Sequence, residues 1–393
     1  MRLAIWVGSY LLLQGCVIGL TEFCILHSGF RRQAGRRICR TVCRTLFALA
    51  LIMPLMGAFL KDGRVKFFLQ AAGNIGMGFL MYYGGLLLAF TIILLIVNKA
   101  ARKAFRFGGL ILASAAISLV LNLYGLSHAQ KTVVKTYEIT LDKPLSDTRI
   151  VFVSDLHLSV NSNLPLIERI VKLINEQEAD LVLVGGDVFT SSYQALKDPQ
   201  AYAETLRGIR SREGVFAVFG NHDVEETLLC GFAVSPPSKA FRSPEITAFF
   251  EDSGFRILED EMAEICGLQL FGRKDLEKAG DGTRDHLSPE ALLEKADRAK
   301  PVLVLEHEPV EYRALSENGA DLIISGHTHN GQIFPGNLLV RLMAENAYGH
   351  KTLYETDTLV SSGVGYYGPP LRIGTNSEIM VINVKGNQDN EQK

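Results

Sequence analysis

Acidic residues are almost missing from the first third of this 393-residue chain: residues 1–129 hold two, Glu22 and Asp62, against 14 Lys and Arg. The whole chain has 40 basic and 42 acidic residues, so the remainder holds 26 and 40, and a formal net charge of −2 conceals a segment of +12 followed by one of −14. An acidic second part excludes the basic stripe that a nucleic-acid surface needs, and no nucleic-acid partner is expected. Cysteine is sparse as well. Four of the six, Cys16, Cys24, Cys39 and Cys43, lie in or beside apolar runs, and none falls in the polar motifs described below, which disfavours a structural zinc site. Cys230 and Cys266 are the only pair in the second part, and their spacing leaves open whether they bond. There is no internal repeat.

What the first third has instead is apolar length. Runs at Leu3–Leu20, Thr45–Leu60, Phe67–Val97 and Phe107–Leu126 compare with the ~20 residues a helix needs to cross a bilayer. The second is short and contains Pro54, with Arg44 and Lys61 placed to snorkel at its ends. The third is too long, and Gly73, Asn74, Gly76 and Gly78 predict that its span proper starts near Met77. Four spans is the simplest count, so residues 1–129 are read as an all-α transmembrane region. Its few polar residues, Gln14, Glu22, Gln70 and Asn74, are too few for a transport pathway.

Lys and Arg near span ends stay cytoplasmic. Arg31, Arg32, Arg36, Arg37, Arg40 and Arg44 fill the first loop, Lys99, Arg102, Lys103 and Arg106 the third, and only Lys61, Arg64 and Lys66 the second. This places the first and third loops inside. The N-terminus and everything after residue 129 are then expected on the extracytoplasmic side of a plasma membrane. Leu13-Gln14-Gly15-Cys16 faintly resembles a lipoprotein cleavage site, but Val17-Ile18-Gly19-Leu20 continues the apolar run, so an uncleaved anchor is expected.

The second part is organised differently. Short β-branched runs at Arg149–Ser154, Leu181–Gly186, Gly214–Phe219, Val302–Glu306 and Leu322–Ser325 read as buried strands, with an entry strand at Val133–Leu141. Helical patterns at Leu164–Glu176, Asp198–Ile209 and Ser288–Ala299 alternate with them, as in an α/β domain. Each of five polar motifs begins where a strand ends: Ser154-Asp155-Leu156-His157, Gly186-Asp187, Gly220-Asn221-His222-Asp223, Glu306-His307-Glu308 and Gly326-His327-Thr328-His329. Five of the nine histidines fall in them. Ligands of open α/β sheets bind beyond the carboxyl ends of the strands, so these side chains converge on one edge. A lone Asp-x-His is usually a capped turn, and Gly-Asn-His-Asp after a strand can be a simple turn. Five such motifs in order are hard to reach by chance. His27, His128, His286 and His350 have no such company and read as surface or interfacial residues. Arg273, Asp275 and Arg372 either line the pocket or pair at the surface.

The order DxH, GDxxD, GNH(D/E), a lone His and GHxH resembles the calcineurin-like metallophosphoesterases, over roughly Thr148 to Val384. The tail GHTHNGQIFPG, the run Leu359 to Gly365, Pro370-Leu371-Arg372 and Glu378-Ile379 are similar to a membrane-associated bacterial branch, itself similar to the vertebrate transmembrane protein with a metallophosphoesterase domain. The resemblance implies a two-sheet β-sandwich flanked by helices (αββα) over residues 130–385, after the helical residues 1–129 and before a polar, disordered tail at 386–393. It also implies two divalent metal ions, Mn, Fe, Zn or Mg. Asp155, His157 and His329 would hold the first, Asn221, His307 and His327 the second, with Asp187 bridging them through its two oxygens.

The expected function is a membrane-anchored dimetal phosphoesterase acting on a phosphodiester or phosphomonoester, plausibly lipid-linked or in the envelope. A hydroxide between the metals attacks phosphorus and His222 assists the leaving group. The alternative from another class is a degenerate metal-binding sensor or interaction module attached to a working membrane domain. One position departs from the family's pattern: Thr190 stands where GDxxD has its second aspartate, the group that orients the catalytic histidine in relatives. Either Asp223, given a catalytic share here, or Thr190 through a weaker hydrogen bond takes that place. An apolar, Pro-broken insertion at Leu228–Ser243, just after His222, is either a surface loop or a lid or lipid-facing lip.

Overall fold

A computed structural model describes residues 2–28, 33–60, 63–101, 106–190, 192–234 and 240–387. Arg31, Arg32, Lys61, Asp62, Arg102, Lys103, the Pro236-Pro237 pair and the tail from residue 388 lie outside these. The chain divides into two compact units.

The first unit is built on four helices, α1 (Arg2–Leu26), α2 (Gln33–Phe59), α3 (Arg64–Ala101) and α4 (Gly108–His128). All four are long and apolar enough to cross a membrane. Two details differ from the sequence expectation. Arg36, Arg37, Arg40 and Arg44 are not in a loop but on the first turns of α2, since Arg is a good helix former. Arg40 and Arg44 both pair with Glu22 of α1, at 2.9 and 2.7 Å. The third apolar run lies in one continuous helix of 38 residues, longer than the run itself. Gly73 serves packing: a methyl group there would lie 2.9 Å from the ring of Pro54 in α2, so only a residue without Cβ lets the two helices approach this closely.

This unit also includes Gly368–Leu371 and a small hairpin, Leu228–Leu229 with Phe232–Ala233, from the insertion after His222. Leu229, Cys230 and Val234 are buried against Tyr10. The stretch Leu228–Val234 of that insertion is therefore packed among helices and not a free surface loop. Cys230 and Cys266 are both free thiols.

The second unit is the αββα sandwich. One six-stranded sheet has the order Thr132–Leu141, Ser377–Gly386, Thr148–Val153, Leu181–Gly185, Val215–Val218, Arg256–Ile257. The other runs Gly349–Leu353, Thr356–Val360, Leu322–Ser325, Val302–Leu305, Leu268–Gly272, Glu261–Ile265. Both have parallel centres. The period-2 alternation of a strand explains the layering. Ile150, Phe152, Leu181 and Leu183 face Leu303, Leu305, Leu322 and Ile324 between the sheets. Val151, Val153, Val182 and Val184 face outward onto the helices Leu164–Asn175, Pro199–Arg207 and Pro244–Asp252. Val302, Val304 and Ile323 do the same on the other side, against Leu292, Leu293, Tyr312 and Leu315. Strands buried on both faces read as unbroken apolar runs, which is what the sequence shows. The helix expected over Ser288–Ala299 is shorter, Pro289–Leu293.

Candidate metal centre

The motif residues meet where the central strands of both sheets end. Five of the seven candidate ligands, Asp155, His157, Asp187, His327 and His329, have left-handed backbones with φ between 47 and 69°. Asp and His tolerate this region better than most residues, but such positions still cost on the order of 1 kcal/mol or more each. The gain is direction: each turns the chain immediately past a strand, so its side chain points back over the sheet edge.

The glycines of the motifs have a specific reason. A methyl group at Gly220 would lie 2.3 Å from Oδ1 of Asp187, and one at Gly326 would lie 2.5 Å from Oδ2 of Asp155. Each carboxylate occupies the space a side chain would need.

Two groups of donors result. In one, Asp155, His157 and His329 bring ligand atoms within 4.8 Å of one another; in the other, Asp155, Asp187 and His307 do. Nε2 of His157 and Nε2 of His329 are 2.9 Å apart, and His329 Nε2 is 3.4 Å from Asp155 Oδ1. Nε2 of His307 is 3.1 Å from Asp187 Oδ2, 3.1 Å from Asn221 Oδ1 and 3.3 Å from His327 Nδ1. His327 and His329 thus point to different groups. Asp187 stands between them, with Oδ2 also 3.6 Å from His157 Nε2. Its other oxygen, Oδ1, accepts the backbone N–H of His222 at 2.7 Å. Only one oxygen of Asp187 therefore faces both groups, where the sequence reading used two.

This donor set fits divalent cations. Burial pushes His157 down to about 4 against the opposing charge of Asp187. Burial and the neighbouring His307 push His327 down to about 4, and burial holds His329 well below the usual histidine range. Their nitrogens are therefore lone-pair donors at neutral pH. Two such nitrogens facing each other at 2.9 Å are satisfied together by a cation. Burial raises Asp155 to about 6. Burial also penalises the charge on Asp187, but His307 and His222 outweigh it and hold that carboxyl well below its usual range. The same pairing holds the proton of His307 well above the usual range in spite of burial, so a cation there displaces a proton. Outer contacts fix the ligands: His307 Nδ1 lies 2.8 Å from Gly185 O, and Glu277 accepts Nδ2 of Asn221 at 2.9 Å, which turns the amide oxygen inward.

His222 is buried beside these groups with Nδ1 3.9 Å from the carboxylate of Glu226, itself fully buried and paired with Lys278 at 2.8 Å. The ring of Tyr367 stacks on His222 with centroids 4.4 Å apart. The Tyr367 backbone is clasped by Gln332, whose amide accepts its N–H at 2.7 Å and donates to its carbonyl at 2.9 Å.

Both expected substitutes for the missing aspartate have partners other than the His222 ring. Thr190 Oγ1 lies 3.2 Å from Nδ1 of His157 instead. Asp223 accepts the backbone N–H of Phe189 at 2.9 Å and of Gly220 at 2.8 Å, one on each oxygen. It ties two site loops together. Arg273, Asp275 and Arg372 are all buried, and Arg372 reaches the candidate site, with Nη2 3.4 Å from Nδ1 of His329. Arg273 is buried against Glu306 and Glu311, Asp275 caps the turn to Lys278, and Arg372 donates to backbone carbonyls. Glu226, Lys278 and Tyr367 lie outside every motif, so no sequence signal singled them out, and Gln332 lies in the GHTHNGQIFPG run without a role being read for it.

Residues 148–331 match the calcineurin-like phosphoesterase family. An uncharacterised metallophosphoesterase of Helicobacter pylori is 32% identical over 253 residues, which cover 63% of each chain. The transmembrane protein with metallophosphoesterase domain of Danio rerio is 32% identical over 279 residues, 68% of this chain and 61% of that one. A protein of Escherichia coli named phosphodiesterase YaeI is 28% identical over 253 residues, 60% of this chain and 81% of that one. The chain thus spans less than two thirds of the length of the first two.

Proposed function

We propose, from a chain that carries a calcineurin-like phosphoesterase domain over residues 148–331, that it is a membrane-anchored, metal-dependent hydrolase of phosphate esters. The observation that carries this reading is the convergence of Asp155, His157, Asp187, Asn221, His307, His327 and His329 into two adjoining donor groups beside one further histidine. Asp155, His157 and His329 would hold one divalent ion and Asn221, His307 and His327 the other, with Asp187 shared. Ions bound there supply Lewis acidity to the phosphoryl oxygens and bring the pKa of water towards ~7.

The remaining work belongs to side chains of this chain. His222 is the residue that meets the leaving oxygen. Burial, with Lys278 and His157 nearby, holds it well below the usual histidine range against the pull of Asp187, so it rests neutral. An anionic substrate beside it favours the imidazolium, and the proton then passes to the leaving alkoxide. Glu226 turns Nδ1 away from the site, Lys278 balances the Glu226 charge, and Tyr367 covers the ring. These three take the orienting part that the family pattern gives to an aspartate where this chain has Thr190.

The four long helices, the Lys and Arg residues gathered at 31–44 and 99–106 and the similarity to transmembrane relatives support an anchored domain on the extracytoplasmic side of a plasma membrane. An anchored site favours esters with a lipid or envelope-bound portion. The domain limits proposed are 1–129 for the helical region and 130–385 for the catalytic one.

The test is hydrolysis by the detergent-solubilised chain loaded with Mn, on bis(p-nitrophenyl) phosphate and p-nitrophenyl phosphate, beside an Asp187→Asn variant. Activity in the parent that the variant loses is expected, and the preferred ester names the class. Two bound metals with no turnover of either ester would overturn a general phosphoesterase activity in favour of a binding module.

A further inference from the structure

Among the described residues ten large apolar side chains of the catalytic unit are exposed, and five of them lie within ten residues: Phe334, Leu338, Leu339, Leu342 and Met343, exposed by 49, 50, 58, 84 and 86%. The last four sit on one short helix, Gly336–Met343, none of whose residues is buried. At 100° per residue, positions 338, 339, 342 and 343 share one side of the helix, and Asn337 and Arg341 fall on the other. An apolar stripe of this size, left to water, is what monomeric soluble surfaces avoid.

We propose that this helix lies in the surface of the bilayer, its Leu338, Leu339, Leu342 and Met343 side chains among the acyl chains and Arg341 at the level of the phosphates. Three observations favour lipid over a protein occupant. The chain carries four helices able to cross a membrane, and only residues 129–131 separate the last from the first strand, at Thr132. The chain passes from the helical to the catalytic unit again after Leu371, and Gly374 follows closely, packed on Phe334 so that a methyl group there would lie 3.5 Å from its Cβ. Arg341 is the one charge in the helix, and a basic residue beside an apolar face suits anionic headgroups.

The helix is also joined tightly to the site. A methyl group at Gly331 would come within 2.3 Å of the backbone of Gly336 and Asn337, so the turn His329–Gly331 rests directly on the helix start. Seating the helix in lipid therefore holds the His327–His329 loop at the headgroup level. The consequence, which rests on the phosphoesterase reading above, is that esters carried in the bilayer depend on this helix and esters in solution do not.

The test places a tryptophan at Leu342 in the full chain, with the native single tryptophan removed (Trp6→Phe, Leu342→Trp), in vesicles of phosphatidylethanolamine and phosphatidylglycerol doped with acyl-brominated phosphatidylcholine. Blue-shifted emission, more than half of it quenched by the bromines, is expected. Water-like emission indifferent to bromine would overturn the proposal, and so would blue-shifted emission that bromine does not quench, because a second copy or another protein would then cover the helix. In a second arm, Leu342→Glu with Met343→Glu should slow hydrolysis of phosphatidyl-p-nitrophenol in those vesicles at least fivefold and leave bis(p-nitrophenyl) phosphate in solution unaffected. Equal loss on both esters would overturn the substrate clause alone. Absence of any hydrolysis would count against the phosphoesterase reading, and the quenching result would still decide the seat of the helix.

Discussion

Glu226 holds its carboxylate 3.9 Å from Nδ1 of His222, in a position with no exposure to solvent. The same carboxylate oxygen is paired with Lys278 at 2.8 Å, and on the proposed reading this buried pair favours the orientation of the His222 ring. Glu226→Gln should lower kcat on the order of tenfold with two metals still bound, less than the ~10²- to 10⁴-fold expected for His222→Ala. The measurement that separates orientation from folding is the pH profile of kcat, whose limb reporting His222 should shift in Glu226→Gln and keep its position in Thr190→Val. A loss of bound metal in Glu226→Gln would place the residue in the metal centre instead.

The second prediction concerns Gly220. Its missing side chain leaves room for the Asp187 carboxylate, 2.3 Å from where a methyl carbon would stand. Real Cβ atoms do not approach oxygen so closely, so Gly220→Ala must move Asp187 or the Asn221 loop. Either shift separates Asp187 from His307. Metal content by mass spectrometry should fall below one ion per chain, with circular dichroism unchanged. Full loading of the variant would show that Asp187 has slack the packing does not suggest.

Much of this was legible in the sequence, for a physical reason. Strands buried on both faces write themselves as apolar runs, and the motif residues stand where those runs stop, so Asp155, Asp187 and His307 could be placed on one edge without coordinates. Direction within a turn could not. Asp223 follows His222 in the chain yet turns to the amides of Gly220 and Phe189, because neighbours in a tight turn point apart. Glu226 and Tyr367 meet His222 only through tertiary packing, which no spacing encodes. The arginines at 36 to 44 read as a loop because charge marks water, but a cationic stretch of good helix formers with Glu22 nearby is as stable wound into α2.

The third prediction is a pH dependence of metal binding. Burial raises Asp155 to about 6 in the metal-free protein. The ion needs the carboxylate, so as pH falls through about 6 a proton competes for the same oxygen. Affinity for Mn should then drop, by roughly tenfold per pH unit from this group alone. The proton held by His307 adds to the same sign, because it too must leave before the ion binds. Equilibrium dialysis between pH 5 and 8 should show affinity rising with pH throughout. A flat profile would mean that neither group is a ligand.

The last prediction rests on Arg372. Its guanidinium is completely buried, and burial lowers it to about 10, still charged at neutral pH. It donates to the carbonyls of Gly363 at 2.9 Å, of Gly365 and of Asn376 at 2.9 Å. The loop it gathers lies on a candidate ligand: the backbone N–H of Gly365 donates to Asp155 O at 2.8 Å, and a methyl group at Gly363 would lie 2.6 Å from Asp155 Cβ. Arg372→Met fills much of the volume but takes from the carbonyl of Gly365 its guanidinium donors, at ~1–3 kcal/mol, and leaves those of Gly363 and Asn376 with only the Glu378 N–H and the Ser362 hydroxyl. Arg372→Lys supplies a single point of donation in place of a fork and should recover only part of the loss. Both variants should therefore melt earlier than the parent, Met further than Lys. Both should also bind Mn more weakly, because the loop that backs Asp155 is released with them. A Met variant with unchanged melting temperature would show that the loop holds its shape without the clamp, and the support of Asp155 would then have to be sought in Ser154, whose hydroxyl donates to Oδ2 at 2.5 Å.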